Sequence, residues 1–236
     1  MIALQALRSP QADTIELTAI VDTALCVGAG GSSGSLADKP IVRTGANQLL
    51  IPASQLKGRL RHECEKLARS LDWPICRSPN PQMMCPQRAG LSENFVIEPY
   101  RVTGYAGYHC LICQIFGNPA LRSRLWVDDL VCVADPAAIA EVLRPGVTLS
   151  RRRRTAEEKK LYLLETSPVN AQLEFVGTMH LQPDCPTQAK ALLLAALHHI
   201  HALGGSKSGG LGWLHWKIAH QSESLDWQIL PPGGES

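Results

Sequence analysis

The order of strand-like and helix-like segments constrains the fold of this chain more than any other feature of the sequence. Residues 15–27 alternate and are rich in β-branched side chains, which predicts a first strand. A helix follows, with Ser54 as its predicted N-cap. The apolar residues of that helix recur at helical spacing on one face: Leu56, Leu60, Cys64 and Leu67.

The remaining segments complete a recognisable series. Strand-like segments return at residues 124–133 and 171–181, a second helix is predicted at 187–203, and a final strand at 213–220. The resulting order is strand, helix, irregular insertion, strand, projecting segment, strand, helix, strand. This is the βαββαβ order of an α+β, ferredoxin-like (RRM-like) fold that carries long insertions.

Length and composition predict the domain organisation and the compartment. The chain has 236 residues, 45% of them hydrophobic and 19% charged, and no linker divides it. We therefore predict one domain over residues 1–236, with a disordered tail at about 231–236. The N-terminus lacks the features of a signal peptide, and the most apolar stretch, residues 189–203, is too short to span a bilayer. These features predict a cytoplasmic protein without a membrane partner.

The insertion, about residues 71–115, is rich in Pro, Cys and Gly and has few large apolar residues with which to pack. Four thiolates can hold one tetrahedral zinc ion, whose binding would supply the folding energy that this segment lacks. The predicted zinc ligands are Cys76, Cys85 and the C-x-x-C pair Cys110 and Cys113. His62, Cys64 and His109 are the substitute ligands. Four unrelated thiols, or a redox pair, are the alternatives to a structural zinc site.

Glycine-rich loops and basic segments are the candidates for binding phosphate groups. One loop, residues 28–34, follows the first strand, and the other, residues 204–212, follows the second helix, so both can border one surface of the predicted fold. Neither matches a P-loop or a dinucleotide fingerprint. The formal net charge is only +2, but basic residues concentrate at 57–61 and in the run 151–154. Such groups bind an RNA backbone without reading its sequence, although solvated or disordered basic segments are the alternative.

Six stretches, taken in chain order, resemble the RAMP superfamily of CRISPR-associated proteins, which act in antiviral defence. Within that superfamily they resemble the repeated backbone subunit of type III effector complexes. The stretches span most of the chain: GAGGSSGSLADKPIV, IPASQLKGRLR, CLICQIFGNP, RLWVDDL, GVTLSRRRRTAEEKKLYLLE and GGSKSGGLGW.

The resemblance implies an RNA-binding role. Such subunits stack along a CRISPR RNA, and a projecting thumb hairpin, here about residues 144–170, interrupts the duplex of guide and target at regular intervals. The implied partners are CRISPR RNA, target RNA and other subunits of the effector complex. The predicted RNA-binding residues are Ser54, Lys57, Arg59, Arg61, Arg151, Arg152, Arg153, Arg154, Gly205, Ser206, Lys207, Gly209 and Gly210.

The resemblance also implies a ribonuclease site at Asp38. In catalytically active members, an aspartate in the loop after the first strand promotes metal-dependent cleavage of target RNA, and Asp38 occupies the matching position. RNA supplies its own nucleophile, the 2′-hydroxyl, so one carboxylate that holds magnesium or manganese suffices while the duplex provides alignment. An ordinary loop aspartate that caps a turn is the alternative.

Two other functions stay open on the sequence. Some members of the superfamily bind guide RNA without cutting, so a purely structural subunit is the first alternative. The second is a stand-alone endoribonuclease that processes precursor guide RNA, for which His215 and His220 are candidates without an obvious partner. Asp128 and Asp129 are predicted to be structural, because adjacent residues of a strand point to opposite faces.

Overall fold

The computed structural model describes residues 12–28, 37–87, 98–169 and 171–218, which form an α+β structure with antiparallel sheets. Its helices are α1 (Ala53–Ser70), α2 (Leu111–Phe116) and α3 (Ala189–His198). Its strands are β1 (Asp13–Val21), β2 (Leu50–Ile51), β3 (Leu125–Val127), β4 (Leu130–Cys132), β5 (Val142–Ser150), β6 (Thr155–Thr166), β7 (Leu173–Leu181) and β8 (Leu214–Ile218). The predicted disordered tail, His220 and the first glycine-rich loop beyond Gly28 lie outside the described residues.

Six of the strands form one sheet and the other two form a hairpin. The sheet order is β2-β4-β7-β1-β8, with β3 pairing to β7 beside β4. Each pairing is antiparallel. Strands β5 and β6 pair with each other, with one register irregularity between Val147 and Leu149, and Leu164 of β6 also forms an isolated parallel bridge with Lys39. This hairpin corresponds to the predicted projecting segment.

Alternation along the central strands separates a buried face of the sheet from an open face. On β1, Ile15, Leu17 and Ala19 are buried, whereas Thr14 and Glu16 are exposed. The buried residues of α1 and α3 belong to the same hydrophobic cluster as those of β1 and β7. Both helices therefore cover one face, and within the described part of the chain most of the other face is open to solvent, although Ile20 on it is buried.

The described residues of the predicted insertion, 71–87 and 98–115, have little regular structure, as the composition indicates. Within these residues it contains two single-turn 3₁₀ helices, Pro81–Met83 and Glu98–Tyr100, before α2 begins. Its four cysteines are nevertheless buried, and they belong to the main hydrophobic cluster. The insertion is therefore anchored to the core through its cysteines.

The predicted N-cap of the first helix is wrong. The helix begins at Ala53, and the residue at the N-cap position is Pro52, which makes no side-chain cap hydrogen bond. The backbone N–H of Ala53 instead donates to Oδ1 of Asp129 at 2.7 Å. A carboxylate from another segment thus satisfies this helix end, and Ser54 lies exposed in the first turn.

Two strand boundaries also differ from the prediction. The first strand ends at Val21, because the following residues bond to the hairpin and to the second glycine-rich loop instead of to a neighbouring strand. The predicted strand at 124–133 is divided into β3 and β4, and the break falls at Asp128 and Asp129. Both aspartates take part in hydrogen bonds, but neither lies in a strand, so their structural role stays a prediction without the strand geometry on which it was based.

We expect Gly212→Ala to destabilise the protein by about 2–4 kcal/mol, because this position combines a positive φ with a close contact. Gly212 has a φ of +72°, and a Cβ there would lie 1.8 Å from the carbonyl oxygen of Leu203. Gly209→Ala is the matched control, since a Cβ there meets nothing within 4 Å. Denaturant unfolding measures both, and equal free energies of unfolding for the two variants would contradict this account.

Candidate functional site

Asp38 lies against the base of the β5–β6 hairpin. Its side chain is exposed, and its Oδ2 accepts a hydrogen bond from the backbone N–H of Leu163 on β6 at 2.7 Å. The backbone of Lys39 continues the contact, donating to Leu163 and accepting from Glu165. The ammonium of Lys39 lies 5.9 Å from the ring centroid of Tyr162. The carboxylate of Asp38 is therefore held in one place at the root of the hairpin.

A buried ion pair fixes the segment that follows Asp38. Glu165 is 4% exposed, and its Oε1 lies 2.9 Å from a guanidinium nitrogen of Arg43. Its Oε2 accepts from the backbone N–H of Ile41 at 3.1 Å. Both carboxylate oxygens are thus satisfied, which is what a buried charge requires. This pair ties residues 41–43, just after Lys39, to β6.

The second glycine-rich loop and the hairpin base meet on a shared segment, residues 24–28. Gly205 donates to the carbonyl of Cys26 at 2.6 Å, and Gly212 donates to that of Ala24 at 2.9 Å. On the hairpin side, Ser167 and Leu25 exchange hydrogen bonds of 2.9 and 2.8 Å. The loop residues predicted to bind RNA are exposed: Gly205, Ser206, Lys207, Gly209 and Gly210.

The hairpin itself exposes both charge and apolar surface. The run Arg151 to Arg154 forms its turn, and all four side chains are exposed. Along the two strands, Val147 is 45%, Leu149 is 63% and Leu161 is 69% exposed. Apolar residues that stay exposed in a row on a single chain indicate a surface that another molecule covers.

The basic residues of α1 have partners within the protein. The ammonium of Lys57 donates to Oγ of Ser123 at 2.7 Å and to the carbonyl of Leu125 at 2.8 Å. Burial, with a contribution from nearby Arg61, lowers the pKa of Lys57. The α1 helix is therefore not a simple solvated basic face at this point.

Two of the three arginines of α1, Arg59 and Arg61, are also engaged. Arg59 pairs with Glu63 at 2.8 Å, and Arg61 pairs with Glu65 at 3.1 Å. Arg61 also donates to the carbonyl of Gly117 at 2.9 Å, next to the end of α2. Their role in binding RNA stays a prediction, and any phosphate would have to compete with these internal contacts.

The four predicted zinc ligands come together in one buried cluster. The sulfur atoms of Cys76, Cys85, Cys110 and Cys113 all lie within 4.8 Å of one another. Sγ of Cys76 is 3.5 Å from that of Cys113 and 3.7 Å from that of Cys110. Four sulfurs around a zinc ion, with Zn–S distances of about 2.3 Å, are separated by about 3.8 Å. The cluster can therefore hold a metal ion such as zinc.

Local structure shapes this cluster. Cys110 is the N-cap of α2, and its sulfur accepts from the backbone N–H of Cys113 at 3.5 Å. The N–H of Cys110 in turn donates to the sulfur of Cys85 at 3.2 Å. Backbone donors that point at sulfur stabilise thiolates, the form in which cysteine binds a metal.

The thiols of the cluster perturb one another. Hydrogen bonds with Cys110 and Cys113 lower the pKa of Cys76, whereas hydrogen bonds with Cys113 and Cys76 raise that of Cys110 well above its ordinary value. Four neighbouring thiols cannot all ionise without a compensating cation, because like charges at this separation repel strongly. A divalent ion would remove that conflict.

The substitute ligands lie outside the cluster. His109 is fully buried, but its Nδ1 lies 3.0 Å from the amide nitrogen of Asn118 and its Nε2 lies 3.2 Å from the carbonyl of Ala106. The thiol of Cys64 packs against α3, and burial raises its pKa. His62 is exposed on α1. Each of the three is thus accounted for without a metal.

Sequence reasoning missed one pairing, between His215 and the carboxylate of Asp22. Nδ1 of His215 lies 2.9 Å from Oδ2 of Asp22, so this histidine has the partner that the sequence did not reveal. The two residues are 193 positions apart and meet only because β8 pairs with β1. In the sequence, the only sign of this pairing was that each residue alternates with residues of the core.

Comparison with known proteins assigns the family. A family model described as the RAMP superfamily matches residues 18–215, which is most of the chain. A search of curated proteins found no match. None of the described helices is long and apolar enough to cross a membrane. The match over β1 to β8 covers the hairpin, the second glycine-rich loop and the cysteine cluster, and the chain therefore belongs to the RAMP superfamily of CRISPR-associated proteins.

Proposed function

We propose that this chain is a CRISPR RNA-binding backbone subunit of a type III effector complex, and that Asp38 cleaves target RNA bound to the guide. Membership of the RAMP superfamily implies CRISPR RNA and other effector subunits as partners. The observation that carries the rest is the position of Asp38, exposed and hydrogen-bonded to the root of a projecting hairpin.

The arrangement of the sheet supports a ferredoxin-like core. In chain order, β1, α1, the β3–β4 pair, β7, α3 and β8 follow the βαββαβ pattern. Within the sheet, β4, β7, β1 and β8 are neighbours in that order, with α1 and α3 on one face. The hairpin and the cysteine-rich insertion are then additions to this core.

The hairpin fits the role of a thumb. Its exposed apolar residues offer a surface for a neighbouring subunit. Its arginine turn, on the same hairpin, offers groups that bind an RNA backbone. The exposed glycine-rich loop lies next to the hairpin base through residues 24–28. A guide strand that crosses this region would meet loop, hairpin and Asp38 together.

The chemistry asked of Asp38 is limited. Its Oδ2 is held by the N–H of Leu163, so the carboxylate presents its other oxygen from a defined position. There it can take the proton of a 2′-hydroxyl or hold magnesium or manganese. A divalent ion bound there would neutralise charge on the scissile phosphate. The alignment of the nucleophile would come from the RNA itself, bent beside the hairpin.

In this proposal the cysteine cluster binds structural zinc. All four ligands are buried and provided by the protein, which leaves no open position for a substrate. Arg61 lies close enough to Cys113 and Cys76 to interact with them electrostatically, which offsets part of the negative charge of four thiolates. The zinc would hold the insertion against α1 and the core.

A purely structural subunit is the second candidate, and one observation favours it. The hydrogen bond from Leu163 to Asp38 is also what a loop aspartate with only a structural role would make. In that case the chain binds guide RNA and assembles, while another subunit cuts. Removing the charge of Asp38 without removing its acceptor oxygen separates the two candidates.

We expect that replacing all of Arg151 to Arg154 with serine will weaken binding of single-stranded RNA and reduce its dependence on salt. Removal of one phosphate-binding group should lower the slope of log affinity against log salt by about 0.7. Titrations of labelled RNA at several potassium chloride concentrations measure this slope. Lysine at the same four positions is the control, because it keeps the charge, and an unchanged slope in the serine variant would contradict the proposed role of the arginine turn.

A further inference from the structure

Three exposed side chains lie in a row along the edge strand of the sheet: Trp213, His215 and Lys217. We call these three residues the β8 strip. They alternate with the buried residues Leu214 and Ile218, so they lie on the open face, opposite the helices. Trp213 is 50% exposed, and the side chain of His215 is 53% exposed. The strip begins directly after the glycine-rich loop 204–212.

The strip is held rigidly by the end of β1. The backbone N–H of Asp22 donates to the carbonyl of Trp213 at 2.8 Å, and the N–H of Trp213 donates to Oγ1 of Thr23 at 2.9 Å. Nδ1 of His215 is occupied by Asp22 at 2.9 Å. Within the described part of the chain, Nε2 of His215 has no hydrogen-bond partner. The imidazole is therefore oriented with one nitrogen available to a ligand.

Two exposed lysines supply positive charge along this edge. Register places Thr18 opposite Lys217 and Ile20 opposite His215, and neither of these β1 residues carries a charge. The carboxylate of Asp22 is paired with His215. Lys207, exposed in the adjoining loop, extends the same charge along the edge. A polyanion is therefore the ligand that this edge suits.

We propose that the β8 strip binds single-stranded RNA. A base stacks on Trp213, Lys217 contacts a phosphate, and His215, oriented by Asp22, donates to or accepts from the RNA backbone. An aromatic side chain alternating with cationic ones along a strand is how single strands are held without sequence preference. The core of a protein interface would instead be poor in charge. The proposal rests on the proposed function and adds a contact site outside the hairpin, α1 and the glycine-rich loop.

The test measures binding of labelled polyuridine to the full chain. We expect Trp213→Ala to weaken binding at least fivefold, because one stacked base contributes about 1–3 kcal/mol and fivefold corresponds to the lower limit of that range. The slope of log affinity against log salt should not change. Lys217→Ala should weaken binding and lower the slope by about 0.7. Trp126→Ala is the matched control, because Trp126 is 59% exposed on the same face, beside β7 instead of β8. Its affinity should equal that of the wild type.

The outcomes separate this site from the proposed function. Wild-type affinity in both β8 strip variants would overturn the proposal that the strip binds RNA, and it would leave the rest of the proposed function unaffected. An equal loss of affinity in Trp126→Ala would also overturn it. So would a Trp213→Ala chain that binds RNA normally but fails to assemble with its protein partners. A wild-type chain that binds neither polyuridine nor CRISPR RNA would overturn both proposals together.

Discussion

Asp38→Ala is expected to slow cleavage of target RNA by the assembled effector complex by about 100-fold or more. A catalytic carboxylate that moves a proton or holds a divalent ion contributes at least this much. Guide and target should remain bound, since no other contact of the hairpin base is removed. Labelled target RNA complementary to the guide, with magnesium or manganese present, would show the loss as missing cuts at regular spacing.

The asparagine variant sharpens this test. Asp38→Asn keeps an oxygen that can accept from the N–H of Leu163, but it removes the negative charge. If Asp38 is catalytic, the asparagine variant should cut as poorly as the alanine variant while retaining wild-type thermal stability. If Asp38 only supports the hairpin base, the asparagine variant should cut normally, and the chain would be a structural subunit.

A second aspartate serves as a control for these variants. Asp135 is also exposed, and its Oδ1 accepts from the N–H of Ala137 at 3.0 Å, so it also accepts one backbone hydrogen bond, away from the hairpin base. Asp135→Ala should cleave target RNA at the wild-type rate. Equal losses in the Asp38 and Asp135 variants would point to a general effect of removing an exposed, hydrogen-bonded carboxylate.

Replacing Cys110 and Cys113 together with serine is expected to have the largest effect on stability. The pair provides half of the sulfur cluster, and structural zinc supplies about 10–16 kcal/mol of apparent binding free energy to small domains. We expect the purified variant to lack zinc by elemental analysis and to unfold at a much lower temperature. Proteolysis should cut the region around residues 72–117 first, because the cluster that anchors it to the core is lost.

Two controls isolate the metal from the removal of a thiol. Cys185 is half-buried outside the cluster, and burial raises its pKa to about 11, so Cys185→Ser should keep its zinc and lose less than about 1.5 kcal/mol of stability. A strong chelator should lower the melting temperature of the wild type and leave the cluster variant unchanged. Wild-type protein purified without any metal would remove the zinc proposal.

Pattern in the sequence was sufficient to place most of the elements. β-branched alternation located β1 and β7, helical spacing located α1 and α3, and a charged segment between strands marked the hairpin. These periodicities arise because each element buries one side, so they depend only on residues that are close together in the sequence. Boundaries were less accurate where a distant group ended the element, as Asp129 does for α1.

The cysteine cluster was the part of the candidate site that the sequence located most directly. A segment with few large apolar residues needs some other anchor, and four thiols within it are an anchor that composition reveals. The structure then brought Cys76, Cys85, Cys110 and Cys113 together, and it separated His109, which has other partners. Ligand type was readable from the sequence, whereas the competing contacts of His109 were not.

The sequence by itself determined the order of the elements, the residues of the cysteine cluster and the location of the arginine turn, because each depends on neighbours along the chain. Only the tertiary structure decided which charged side chains are already engaged, as Lys57 and Arg61 are, and which distant groups meet. Asp38 meets Leu163, and Asp22 meets His215, across more than a hundred residues. Such contacts depend on strand pairing and register, which local periodicity does not specify.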